Sequence, residues 1–198
     1  MIRRPTTPAA RAAFERLCKG ERTDADALVF ADWLTEQGSS LGEYITLART
    51  GHARPATQLW QRDRLVWLGR IGAFLEPHRG EFVGGLPEFA MIAPHTNPEV
   101  VRPHARATEW LLFRALRLDA GARDAEPWLP LVTSPALRRV NRLEGLTVPL
   151  LEALAAKRPR LRAVEVNTLG GLPLKVLDGF PALTELKIRG SRGASAAG

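Results

Sequence analysis

Apolar positions along this chain repeat with two different periods, and the change from one to the other divides it. Up to about residue 70 they recur at helical spacing. Residues 8–18 predict a short amphipathic helix that offers Ala12, Phe14, Leu17 and Cys18 for packing. Residues 26–38 place Leu28, Val29, Ala31, Trp33 and Leu34 on a broad apolar face, with Thr23 or Asp24 as cap and Gly38 as stop. Residues 41–49 predict the second arm of an αα-hairpin. Residues 57–70 predict a further helix with Trp60 and Trp67 facing a core and Arg62, Arg64 and Arg70 facing outward.

From residue 86 onward the period shortens toward that of strands. Five segments, beginning at Leu86, Phe113, Leu137, Leu161 and Leu183, share one form: an apolar residue, two spacers, then apolar–any–apolar. Their first residues lie 27, 24, 24 and 22 positions apart, and the last three are each led by proline, at Pro135, Pro159 and Pro181. This spacing resembles the leucine-rich-repeat frame, in which the final three positions alternate in–out–in along a strand. The inward sets are Leu86/Phe89/Met91, Phe113/Leu116/Leu118, Leu137/Val140, Leu161/Val164/Val166 and Leu183/Leu186/Ile188. Arg142 occupies the last slot of the third set and Leu143 follows it, which predicts a slipped register or a bulge there. The Asn or Cys usual three residues after the last leucine is replaced by Pro94, Gly121, Gly145, Leu169 and Ser191. Between strands, residues 98–107 (with Asn97 as cap) and 149–158 have helical character. In the latter, Pro149 suits the first turn, Leu150, Leu151 and Leu154 share a face, and Pro159 ends it.

The hairpin reads D-x-L-V-x-A-D-W-L-x-E-x-G from Asp26 to Gly38, followed by G-E-Y-I-x-L from Gly42 to Leu47. These residues resemble the bacterial repeat-companion domain, a short helical module that precedes repeats. Trp67-Leu-Gly69 and Gly85-Leu-Pro-Glu88 are similar to the segment that joins such a module to its array. The resemblance covers about residues 8–90 and implies a helical cap, with no activity, cofactor or catalytic residue attached to it. The expected fold class is therefore α/β: an N-terminal helical hairpin cap on a short leucine-rich-repeat-like solenoid, with a parallel sheet of about five strands. The expected organisation is a helical module over 1–50, a connecting helix and linker over 51–84, the repeat array over 85–190 and a flexible tail over 191–198.

Composition narrows the class. With 45% hydrophobic and 25% charged residues, the chain can bury a core, which excludes a disordered or collagen-like polymer. A single cysteine, Cys18, excludes an intramolecular disulfide framework and suits a reducing compartment. No run approaches the roughly 20 apolar residues of a membrane helix, and the start lacks the apolar core of a secretion signal. A soluble, cytoplasmic protein without membrane contact is the expectation. The net charge of +7 is concentrated in residues 1–22, at +4, and 136–162, at +5.

Candidate chemistry is sparse. Asp32 and Glu36 stand four apart on a helix, a spacing open to acid–base work but more commonly a solvated face. His52, His78, His95 and His104 form no metal-ligand spacing. The glycine pairs at 84–85 and 170–171 lack the residues of a phosphate loop and read as turns. No catalytic residue, cofactor or metal is expected. The outward strand positions are Glu88, Ala90, Ala115, Arg117, Arg139, Asn141, Ala163, Glu165, Glu185 and Lys187. Together with flanking Arg138, Arg142 and Arg162 they suggest a non-enzymatic interaction module. A partner protein with an acidic surface would dock on the concave face through Arg117, Arg139, Asn141, Glu165 and Lys187, with Arg138 and Arg162 beside them. The alternative is nucleic-acid or polyanion binding through the arginine clusters. The final strand, as an edge, also invites pairing with a second copy or another chain.

Overall fold

The helical spacing of the first part of the chain becomes four helices in the computed structural model, which describes residues 5–19, 23–76, 81–83, 85–118, 125–155, 157, 160–168 and 171–190. They are α1 (Pro8–Lys19), α2 (Asp24–Glu36), α3 (Ser40–Arg49) and α4 (Ala53–Leu68). Thr23 caps α2, its hydroxyl accepting from the Asp26 N–H, and Gly38 follows the helix at φ 71°. The expected face of α2 is buried at Ala31, Trp33 and Leu34, joined by Ala27 and Phe30, whereas Val29 is exposed. Gly42 lets α3 lie against α2: a Cβ there would sit 2.3 Å from the Ala31 carbonyl and 2.4 Å from the Thr35 hydroxyl. Asp32 and Glu36 are exposed on the opposite side.

A 3₁₀ segment, Gly69–Phe74, leads into a six-stranded sheet whose spatial order equals its chain order. The strands are β1 (Glu81–Val83), β2 (Leu86–Met91), β3 (Ala115–Arg117), β4 (Arg142–Thr147), β5 (Ala163–Thr168) and β6 (Glu185–Gly190). β1 pairs antiparallel with β2, and β2 through β6 form a five-strand parallel sheet. The α/β class and the strand number therefore follow the sequence reading, with an antiparallel strand added at one end. Parallel neighbours need crossover connections. These contain α5 (Pro98–Val101), α6 (Leu129–Val132), α7 (Val148–Ala155) and short 3₁₀ turns. Asn97 caps α5 by accepting from the Glu99 N–H, and Pro149 sits in the first turn of α7. Leu116, Leu143, Leu146, Val164 and Val166 point from the sheet into one core with Leu150, Leu151 and Leu154 of α7. That core continues without a break into Phe30, Trp33 and Ile45 of the helical part.

Two strands depart from the expected register. In β2, Phe89 lies level with Ala115 and Ala90 with Leu116, so Ala90 is the residue buried in the core layer. Phe89 and Met91 stand on the opposite face, where hydrophobicity alone argued against placing them. In β4, Leu143 takes the slot between Leu116 and Val164. The strand then bulges between Leu143 and Leu146, where Gly145 adopts φ 71°. Slip and bulge both occur in this unit. His78, Gly84, Gly121, Pro159, Leu169, Gly170 and residues 191–198 lie outside the described residues, as does the Cys18 side chain.

Candidate functional site

Residues level with one another across a parallel sheet share a face. The face away from the crossover helices carries Phe89 and Met91 on β2, Ala115 and Arg117 on β3, and Arg142 and Glu144 on β4. It continues with Ala163, Glu165 and Asn167 on β5, and Glu185, Lys187 and Arg189 on β6. Arg117, Glu165 and Lys187 thus stand where expected. Arg139 and Asn141 do not; the positions they were expected to fill belong to Arg142 and Glu144. Asn141 precedes β4, its backbone N–H donating to Arg114 O at 2.8 Å and its carbonyl accepting from the Arg162 and Ala163 N–H groups. Arg139 is turned toward the N-terminal helices: its guanidinium donates to Leu111 O at 3.1 Å and lies 4.6 Å from the centroid of the Phe14 ring. It clamps α1 onto the 3₁₀ segment Thr108–Leu112.

On the face itself, opposite charges interleave strand by strand. Arg142 Nε donates to Glu144 Oε1 at 2.7 Å, and its guanidinium reaches Glu185 at 3.7 Å. Lys187 is 3.0 Å from Glu185, and Arg189 is 3.0 Å from Glu165. Arg117 spans Glu144 at 3.8 Å and Glu165 at 4.0 Å. Hydrogen bonding by Lys187, with Arg142 beside it, holds the Glu185 carboxyl below the usual carboxylate range. Glu165, at 3% exposure, is covered by the arginines it pairs with, and its Oε1 has no hydrogen-bond partner. It therefore positions Arg117 and Arg189 from beneath, while Arg142, Glu185, Lys187 and Arg189 present the exposed charge. Four cations against three carboxylates leave the face with one positive charge.

At the β2 end the face becomes apolar. Phe89 and Met91 border a shallow concavity open to solvent, whose wall includes Trp60, Arg64, Leu65 and Leu75. Leu65 is 56% exposed beside it, and Val66 on the same helix 68%. Behind the concavity, Trp60 packs at 5.9 Å on Trp67 and at 6.1 Å on Tyr44. Trp67 Nε1 donates to Ser40 at 3.0 Å, and burial pushes the Tyr44 phenol up to about 12. Trp60 and Trp67 are thus a packed pair, and Arg62 forms a two-pronged pair with Asp63.

A different charge pattern marks the turns ahead of the strands. Arg106, Arg138, Arg160 and Arg162 are exposed there, and none has a carboxylate partner among the described residues. Arg106 and Arg138 line one open groove with Thr108. Among the described residues no three His, Cys, Asp or Glu side chains gather as a metal ion requires, and no helix is long and apolar enough to cross a membrane. His104 stacks on Phe74, and His52 lies 2.8 Å from the Thr50 hydroxyl. Comparison with protein-family models, curated proteins and solved structures found no match to this chain.

Proposed function

We propose that the chain is a non-enzymatic protein-interaction module. In this reading residues 1–50 are a cap of the repeat-companion kind, and residues 85–190 are a short leucine-rich-repeat solenoid that docks a partner on its strand face. One observation carries it: an in-register, open sheet face runs from an apolar concavity into interleaved exposed charges. An extended partner segment suits such a face, laying an aliphatic or aromatic side chain against Phe89, Leu65 and Leu75. Acidic groups further along would take Arg142 and Arg189, whose guanidinium groups match carboxylate geometry. The strand periodicity and the sequential sheet order support the repeat reading, since each unit buries its apolar side only against its neighbours.

The test is selection from a displayed peptide library. The expected winners combine a large apolar residue with acidic residues a few positions away. Their binding is lost on Leu65→Arg and on Arg142→Glu/Arg189→Glu, and retained on Arg138→Glu. Enrichment of nothing, or of peptides indifferent to these substitutions, rejects the assignment. A second reading is favoured by Arg106, Arg138, Arg160 and Arg162, exposed along the turns with no carboxylate partner among the described residues, namely polyanion binding at that rim. Fluorescence anisotropy with a single-stranded oligonucleotide decides it. Rim binding would weaken steeply with salt and fall on Arg138→Glu/Arg162→Glu, whereas salt-insensitive or undetectable binding sinks it.

A further inference from the structure

The charged face ends at β6, which has a strand neighbour on one side only among the described residues. Its sequence, Glu185-Leu-Lys-Ile-Arg189, has an internal symmetry: opposite charges at its ends, apolar residues inside them and lysine at the centre. We infer that β6 pairs antiparallel with β6 of a second copy, about a two-fold axis at Lys187, to continue the sheet across a homodimer. Two identical edges can meet in a closed, symmetric way only when the strands run antiparallel.

In that register Glu185 stands opposite the copy's Arg189, and Leu186 opposite the copy's Ile188, each pairing occurring twice. Charge complements charge on the open face, and apolar residue meets apolar residue on the core face. The backbone agrees. The Glu185 N–H donates to Arg162 O, so the N–H and C=O groups of Lys187 and Arg189 also turn toward β5, by strand alternation. Those of Leu186 and Ile188 then point to the free edge, and they are the groups this register pairs. A shift that centres the axis on Leu186 would bring Ile188 opposite Thr184, whose N–H is already donated to Arg162, and would leave Arg189 without Glu185. The register centred on Ile188 sets Lys187 against Arg189. Ile188, at 52% exposure, is the most exposed large apolar group that pairing would cover on this strand. The two lysines at the axis oppose each other, each held by its own Glu185 at 3.0 Å.

Lys187 would form a non-hydrogen-bonded pair with its copy, with Cα atoms about 4.5 Å apart, within disulfide reach. The experiment measures the mass of the full chain in solution against concentration, and the oxidative cross-linking rates of Lys187→Cys and Glu185→Cys, with the parent carrying only Cys18 as control. The expected result is a concentration-dependent dimer in which Lys187→Cys cross-links at least tenfold faster than Glu185→Cys. Lys187→Thr should tighten association several-fold, and Ile188→Lys should weaken it at least tenfold with unchanged circular dichroism. A parent that stays monomeric at its highest soluble concentration overturns the proposal. So does a dimer in which Lys187→Cys cross-links no faster than Glu185→Cys. This inference concerns the edge of β6 and stands whether or not the sheet face takes a partner.

Discussion

A methyl group added at Gly145 has nowhere to go: its carbon would lie 1.8 Å from the Leu118 carbonyl oxygen, at a φ of 71° that side chains resist. The left-handed backbone alone costs a non-glycine residue about 1–2 kcal/mol, and the clash adds to it. Gly145→Ala should therefore lower the denaturant midpoint by more than an average core substitution. An unchanged midpoint would show that the bulge moves freely. Tyr44 offers a second check at this scale, because it is the only tyrosine of the chain. The ultraviolet phenolate signal of the folded protein should rise near pH 12, against about 10 for an ordinary tyrosine. A midpoint near 10 would mean that the phenol is solvated. In the observed register Gly145 lies inside the bulge between Leu143 and Leu146, not three residues past the last inward slot, and its positive φ is what the bulge requires.

The register of β4 explains what could and could not be read from the chain at the level of elements. Helices α2, α3, α4 and α7 were legible because a one-sided apolar face, a capping Thr23 and a stopping Gly38 act locally. Strands β3, β5 and β6 were legible because their inward residues alternate cleanly. The positions on β4 were not, since Leu137 and Val140 offer a plausible in–out–in start three residues early. Only the neighbours Leu116 and Val164 decide for Leu143. A reading that placed Leu143 in the slot would have put Arg142 and Glu144 outward. In β2, Phe89 and Met91 look inward by composition and face outward by pairing. Arg139 was misplaced for the same reason as Arg142, and its actual task is to hold α1. A second tether for that helix is buried Asp26, which accepts from Arg16 at 2.5 and 2.9 Å and from the Thr23 hydroxyl at 2.8 Å. Arg139→Ala combined with Asp26→Asn should raise amide exchange throughout α1 by at least tenfold, with β5 amides little changed. Equal loosening of both would mean that α1 and the sheet unfold as a single unit.

For the whole molecule, the carboxylates held low set the acid limb of stability. The Arg16 hydrogen bond, reinforced by Thr23, depresses Asp26. Hydrogen bonds from Arg62 and then Ser40 bring Asp63 to about 2, and Lys187 with Arg142 lowers Glu185. A carboxyl lower in the folded than in the unfolded state favours folding fully above the unfolded value of about 4. That contribution is lost as pH falls through the folded value. The unfolding free energy should therefore hold nearly constant above pH 5 and decline between about pH 4 and 2, with Asp63→Asn shallowing the decline. A stability that rises on acidification would contradict these pairings.

The equality of strand order and chain order also has a consequence in time. Each of β2 to β6 finds its partner in the strand made just before it, so no strand must wait for a distant part of the chain. Ribosomes deliver about 5–20 residues per second, which makes the roughly two dozen residues from one strand to the next a matter of about one to five seconds. Such a chain can settle strand by strand as it emerges, against a helical end already in place. Its greatest exposure to aggregation is then the brief life of each newest edge, before the following strand arrives.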